Sequence, residues 1–482
     1  MGSVKQDTLR GSKWAAIEKF SSQGMQFVIG IILARILSPS DFGVVGMLAI
    51  FIAISQTFID SGFSNALIRK IDRTEEDYST AFYFNIIVGI VCYGVLWLLS
   101  PWVADFFNTP ILSDLLKVLA IAIFFNSLTV VQIARFTVDV NFKAQAIATF
   151  ISVLLSGCLG VLMAYRGWGV WSLAWQQVSA AIIKTIVIWI QARWIPRERF
   201  SYSSFKGLFS FGSKLLAAGL LSAVYSQIAS ILIGKFYTPK ELGIYTRGQQ
   251  FAQVPTSAVA GILARVTFPI LSNYQNDNDR LIQIYRKYIR VTSLLIFFAL
   301  MLLCALAHPL VILLIGEKWE PCVIILQILC FNFMTEHISI LNLQLLQIKG
   351  RSDLFLNLEV IKRIISLSFL IFAVQFGIVA VSIAIVIYAY IGIFINTYYN
   401  GKLFNFGLSK QIKEIHSYYI FSVVSCAPVY FLTYSSLNHI LQIIIGFIFA
   451  SFLYGFLLRK DSIMLELVST IKNKIHINET FT

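Results

Sequence analysis

Charge is what this 482-residue chain lacks: Asp, Glu, Lys and Arg make up 13% of it, about half their share in soluble domains. A water-soluble globular fold is therefore excluded. Cysteine is scarce too. The six present (Cys92, Cys158, Cys304, Cys322, Cys330, Cys426) all lie in apolar runs with no CxxC or metal-ligand spacing. They read as small core residues, so disulfides and metal sites are not expected. Ten-residue segments of alternating polarity are absent, which rules out an outer-membrane barrel. No long polar loop interrupts the chain; the longest connection, around 272–287, is too small for an extramembrane catalytic domain. No DxD-like or His-rich cluster stands at a membrane boundary, and Glu336-His337 is an isolated pair. An integral-membrane glycosyltransferase or glycan polymerase is on those grounds a weak alternative.

What fills the chain is hydrocarbon. Hydrophobic residues are 57% of it, in runs near the ~20 residues that cross a bilayer. Without water in the membrane core, such spans must be helices. Fourteen are expected: 14–37, 42–67, 80–100, 114–136, 144–165, 168–192, 207–235, 242–270, 288–315, 321–348, 355–376, 378–401, 416–436 and 438–458. No cleavable signal precedes the first, which reads as an uncleaved anchor. The last two carry no Lys, Arg, Asp or Glu from Ile415 to Leu458 and read as peripheral. After them, Ile463, Met464, Leu467, Val468 and Ile471 recur at helical spacing, as in a helix lying on the membrane surface. Leu281, Ile284, Tyr285 and Tyr288 suggest the same for 275–290.

A pattern repeats. ILARILSPSDFGVV at Ile32–Val45 returns as LIGKFYTPKELGIY at Leu232–Tyr245, pairing Ser38 with Thr238, Pro39 with Pro239, Asp41 with Glu241 and Gly43 with Gly243. Gly11-Ser12-Lys13 likewise matches Gly212-Ser213-Lys214 with one residue of slippage. Each proline stops one helix, and the acidic residue meets the unpaired N–H groups of the next. The spacing of 200 residues encloses six spans, an even number, so the copies insert the same way up. The expected architecture is all-α: a six-helix lobe over 1–200, a parallel one over 201–403, a central cleft between them, and two accessory helices with a tail over 404–482.

Lys and Arg are lopsided. The tails and connections on the side shared by both termini carry 25, against 5 on the other side. By the positive-inside rule both termini are cytoplasmic. This bias accounts for most of the net charge of +14; contact with anionic lipid heads explains it without nucleic acid.

Eight cations remain at membrane depth: Lys19, Lys117, Lys184, Lys214, Arg247, Arg265, Lys362 and Arg363. Four acids match them: Glu18, Asp60, Glu336 and Glu359. Ionisable groups in hydrocarbon usually face a bundle interior or a wet cavity. Lys117 beside Asp114 reads as a snorkelling lysine, Glu359 with Arg363 as an i,i+4 pair, and Lys362 as reaching lipid phosphates. Lys19, Lys214 and Arg247 are the leading candidates to hold an anionic substrate, followed by Lys184 and Arg265. A diphosphate would suit them, Lys meeting it as a point charge and Arg bidentately. Glu336, the deepest acid, leads Asp60 and Glu18 as carrier of a coupling proton or sodium ion. Trp168, Trp171 and the Tyr388–Tyr399 group read as interfacial aromatics before they read as sugar platforms.

The opening LRGSKWAAIEKFSSQGMQFVIGIILARILSPSDFGVVGM, followed by FIDSGFSNALIRK, resembles Wzx-type (WzxC-like) polysaccharide flippases of the multidrug/oligosaccharidyl-lipid/polysaccharide exporter superfamily. The motif covers roughly the first eighty residues, and the span pattern fits the whole chain. The resemblance implies a twelve-helix core of two lobes plus two extra helices. It implies translocation of undecaprenyl-diphosphate-linked oligosaccharide across the bacterial inner membrane by alternating access, as in O-antigen, lipopolysaccharide or exopolysaccharide assembly. Membrane lipids, a polysaccharide polymerase and export machinery would be partners, and no cofactor is implied. A drug or cation antiporter of the same superfamily is the alternative, disfavoured by the excess of cations over acids.

Overall fold

The computed structural model describes residues 21–60, 62–466 and 469, and among them it contains helices and no strand. Helix α1 covers 21–36. It is followed by α2 (Pro39–Asp60), α3 (Phe63–Arg69), α4 (Glu75–Phe106), α5 (Ile111–Ser127), α6 (Val130–Val138), α7 (Phe142–Tyr165), α8 (Val170–Ala192) and α9 (Tyr202–Phe236). Then come α10 (Pro239–Ser272), α11 (Asn278–Ala305), α12 (Ala307–Ile315), α13 (Cys322–Ile348), α14 (Ser352–Ala373), α15 (Ile378–Phe404), α16 (Leu408–Leu432) and α17 (His439–Leu457). Eleven helical stretches are long and apolar enough to cross a membrane. The other three expected spans coincide with α1, α10 and α14, which are helical but do not meet that standard among the described residues. In α14 the obstacle is charge: Asp353, Glu359, Lys362 and Arg363 share one helix.

Contacts divide the chain into Met1–Gly243 and Ile244–Thr482. In the first unit α7 pairs with α8, α4 with α5, α5 with α8, and α2 with α9. In the second, α11 packs on α13 and α16, α13 on α15, α14 on α15, and α17 on α12 and α16.

The repeated turn folds identically in its two copies. Ser38 N–H donates to Asp41 Oδ2 at 2.9 Å, and Asp41 N–H donates back to Ser38 Oγ at 3.3 Å. Thr238 N–H donates to Glu241 Oε2 at 2.9 Å, and Glu241 N–H to Thr238 Oγ1 at 3.3 Å. Each is a capping box that satisfies donors no helical bond can reach. Pro39 and Pro239 occupy the first helical position, where a missing N–H costs nothing. The acidic side chain thus acts by a specific hydrogen bond more than by the helix dipole.

These two turns touch. A Cβ on Gly43 would lie 1.6 Å from the Pro239 carbonyl oxygen, and one on Gly243 would lie 1.9 Å from that of Pro39. Backbone meets backbone, reciprocally, with no space for a methyl group. From there α2 and α9 run antiparallel, Met47 against Gly234, Thr57 against Gly219, and Gly62 against Gly212. Small residues let membrane helices approach this closely where the hydrophobic effect supplies no drive.

Three sequence expectations change. The span expected at 42–67 lies within one membrane-crossing stretch, Pro39–Arg69, but its helix breaks: Gly62, in the left-handed region at φ 70° and pressed on the Gly212 backbone, separates α2 from α3. The span at 114–136 divides likewise into α5 and α6 around Leu128-Thr129. The 275–290 stripe is not a surface helix. Asp277 caps the N-terminus of α11 through Arg280 N–H at 3.0 Å, and the helix continues unbroken into the bilayer with Leu281 and Tyr285 buried. In the C-terminal tail, Asp461 caps residues 463 and 464, and Ile463 is buried. Leu467, Val468 and Ile471 lie outside the described residues.

The reciprocal glycine contact predicts that Gly43→Ala and Gly243→Ala each destabilise the folded protein by about 1–3 kcal/mol through overpacking. Gly94→Ala, where a Cβ meets nothing within 4 Å, should not. Thermal unfolding of detergent-solubilised variants measures the difference.

Candidate functional site

The ionisable groups at membrane depth fall into three environments. In the first unit, Asp60 ends α2 with its carboxylate open. It accepts a hydrogen bond from Gln56 Nε2 at 3.2 Å, and Gln56 Oε1 in turn accepts from Asn126 Nδ2 at 3.0 Å. On α8, Thr185 donates to the Phe125 carbonyl at 2.9 Å, which brings the neighbouring Lys184 alongside the same stretch of α5. The positive charge of Lys184 acts on Asp60. Asp60, Gln56 and Asn126 thus form one hydrogen-bonded chain across α2 and α5, with the charge of Lys184 on α8 acting on its carboxylate. The two amides that extend from Asp60 are not singled out by the sequence reading. An amide in the middle of an apolar span was the available signal.

Lys214 is exposed on α9. That helix is 35 residues long and buries only Leu208, Gly212, Ser230, Ile233 and Gly234, so one narrow stripe holds it while the rest stays open.

In the second unit the cations turn inward. Arg247 is 6% exposed; its Nη1 donates to Gln250 Oε1 at 2.7 Å, and its guanidinium sits 5.6 Å from the Trp319 ring centroid. The structure seats Arg247 inside the unit, a setting expected of an ionisable group at membrane depth. A guanidinium is weakly hydrated and stacks on aromatics, so burial against Trp319 is physically sound. Lys362 departs from its expected role. It is buried at 7% exposure and bonds Glu359, whereas Arg363 stands 3.9 Å from the same carboxylate. The nearer partner is the lysine, which is thus not directed at lipid phosphates. Lys117 does pair with Asp114, at 3.1 Å.

Glu336 is half-buried midway along α13 and has no hydrogen bond or ion pair among the described residues. Its neighbour His337 is fully buried and bonds Ser293 Oγ at 2.9 Å. Lys19 and Glu18 lie outside the described residues, as does the side chain of Arg265. Lys184 and Lys214 belong to the first unit and Arg247 to the second.

A second polar assembly escaped the sequence altogether. Gln411 Nε2 donates to Asn342 Oδ1 at 2.8 Å, Asn342 Nδ2 to Gln411 Oε1 at 2.9 Å, and Asn400 Nδ2 to Asn342 Oδ1 at 2.6 Å. Tyr285 reaches Gln411 Oε1 at 3.4 Å. Four helices, α11, α13, α15 and α16, are joined by uncharged groups at most 1% exposed. Such a network positions helices, because leaving any member unpaired in the interior is costly.

Removal of either buried assembly should show as lost stability. Arg247→Ala, which strands Gln250, and Asn342→Leu, which strands Asn400 and Gln411, should each cost about 1–3 kcal/mol. Thermal unfolding reads this directly, with exposed Lys214→Ala as the unaffected control.

Comparison with known proteins places this arrangement. The family model described as polysaccharide biosynthesis protein matches residues 32–324. The chain is 26% identical over 373 residues to the teichuronic acid biosynthesis protein TuaB of Bacillus subtilis, covering 73% of this chain and 74% of TuaB. It is 25% identical over 366 residues to the lipopolysaccharide biosynthesis protein WzxC of Escherichia coli, covering 75% and 74%. Among solved structures, the lipid II flippase MurJ in an inward closed conformation superposes with a TM-score of 0.74 at 14% identity, over 92% of this chain and 98% of that one. That likeness establishes the fold.

Proposed function

The chain belongs to the polysaccharide biosynthesis protein family, and from that premise we propose that it is a flippase for lipid-linked oligosaccharide. It carries its substrate from the cytoplasmic to the opposite leaflet of the bacterial inner membrane by alternating access. The observation that carries this reading is the pair of relatives. TuaB and WzxC are named for different polysaccharides, yet one chain resembles both over about three quarters of its length. On the flippase resemblance carried by the opening motif, the feature common to such substrates is not a sugar but the lipid carrier with its diphosphate. A membrane-spanning helical chain with surplus intramembrane cations suits that task; an enzyme would need a reactive cluster.

On this reading the basic ends of the helices and both termini face the cytoplasm. Lys214, open and on a sparsely packed helix, is the cation that meets the diphosphate. Arg247 supports the fold near the path. The sugars occupy water, and the polyprenyl chain stays in lipid, where it costs nothing to leave it. Glu336 is the carboxyl that carries a coupling proton or sodium ion, because an acid without a fixed partner is free to exchange one; Asp60 follows it, being already engaged with Gln56 and Lys184. No cofactor enters. A polysaccharide polymerase and export components take the product onward.

Reconstitution tests the proposal. Purified protein in liposomes with a fluorescent lipid-linked oligosaccharide should accelerate leaflet exchange over empty liposomes, and equal rates would overturn the reading. Lys214→Ala should slow exchange about tenfold or more, the worth of one charge-assisted contact, without lowering the unfolding temperature. Glu336→Gln should keep protein-dependent exchange but remove its response to an imposed proton or sodium gradient.

A further inference from the structure

At the basic end of the first unit lies a cavity of about 540 Å³, formed where the end of α3 faces the start of α9. Arg69, Lys70, Ser203, Ser204, Gly207 and Phe211 line it. The loop that shapes it is braced. Lys70 Nζ bonds the buried Asp77 carboxylate at 2.7 Å, and Asp77 completes the capping box of α4 with Thr74. Arg73 Nη1 donates to the carbonyls of Leu67 and Ile68, both at 3.1 Å, closing the end of α3. Beneath it, Phe63, Phe84 and Phe205 stack at centroid distances of 4.5 to 6.0 Å.

Two of the three basic residues are thereby spent on structure. Arg69 is not. It is exposed, has no carboxylate or hydrogen-bond partner among the described residues, and is held by the face of Phe211, with its guanidinium 4.5 Å from the ring centroid. Stacking fixes the plane of the fork and leaves its N–H donors directed at whatever fills the cavity. Ser203 and Ser204 also line the cavity, Ser203 Oγ bonded to Ser201 Oγ at 3.0 Å and the Ser204 side chain to the Asp77 carboxylate. Asp72 is at the rim, exposed to water, where its charge is screened. Ile71, 91% exposed beside it, offers an apolar surface next to the polar one. A planar two-pronged donor and an adjoining exposed hydrophobe are complementary to a phosphoryl group that carries a hydrocarbon chain.

The direction of α9 gives the cavity an outlet. Ser203, Gly207 and Phe211 line it, and at 3.6 residues per turn Lys214 falls on the same side of the helix, about 10 Å deeper than Gly207. We propose that this cavity is a cytoplasmic docking site for the diphosphate of the lipid-linked substrate, received by Arg69 and passed inward to Lys214. The assignment rests on the flippase reading and adds to it a loading position ahead of the transmembrane path.

Binding of fluorescent farnesyl diphosphate to the full-length protein in neutral-lipid nanodiscs tests it, with phosphatidylglycerol and inorganic phosphate as competitors. Wild type should bind, Arg69→Ala should bind about tenfold to a hundredfold more weakly, and Arg69→Lys should fall between. Neither phosphatidylglycerol nor inorganic phosphate at equal concentration should displace the probe. Because Arg69 is exposed, both variants should unfold at the wild-type temperature. If wild type does not bind the diphosphate, the flippase reading fails together with the docking site. If wild type binds and Arg69→Ala binds equally well, or phosphatidylglycerol competes on equal terms, the docking site alone is overturned.

Discussion

Hydrocarbon offers no partner to a polar group, and the helix caps, the amide network and the buried ion pairs of this protein answer that constraint. Helix starts are closed by their own side chains: Ser38 with Asp41, Thr238 with Glu241, Thr74 with Asp77, and Asp277 with the next turn. Amides within spans are used in combination, as in Asn342, Asn400 and Gln411. Cations that enter the interior are matched there, Lys362 by Glu359 and Arg247 by Gln250 and Trp319. Among the described residues a few charged groups at membrane depth are left without such a match, Lys214 and Glu336 among them.

The same solvent explains how the helices approach one another. Lipid chains are as apolar as leucine, so burial of leucine gains little against lipid, and close backbone contact becomes the available attraction. The glycines where the two repeated turns meet, and those along α9 facing α2, supply it. Such seams have few interlocking side chains. They hold helices together by backbone proximity.

For the proposed transport path the consequence is a division of labour among basic residues that look equivalent in a list. Lys70 and Arg73 brace a loop, Arg247 and Lys362 stabilise an interior, and the charge of Lys184 acts on Asp60. Arg69 and Lys214 remain open, one at a helix end and the other deeper along α9. A positively charged headgroup track needs only such residues, and the others set their positions.

Much of this was determined by the sequence alone. Apolar run lengths defined membrane-crossing helices, because the thickness of the bilayer sets a length that composition must meet. The proline–acid–glycine turns marked helix starts, because proline and a capping acid act through bonds to residues three positions away. Each of these is short-range physics. What only the tertiary structure decided depends on groups far apart in the chain: the break at Gly62 against Gly212, the link from Gln56 to Asn126, the seat of Arg247 on Trp319, and the amides of α13, α15 and α16. A charge at membrane depth reads the same in sequence whether it is paired or open. Its partner, supplied by another helix, decides which, and that partner is fixed by packing.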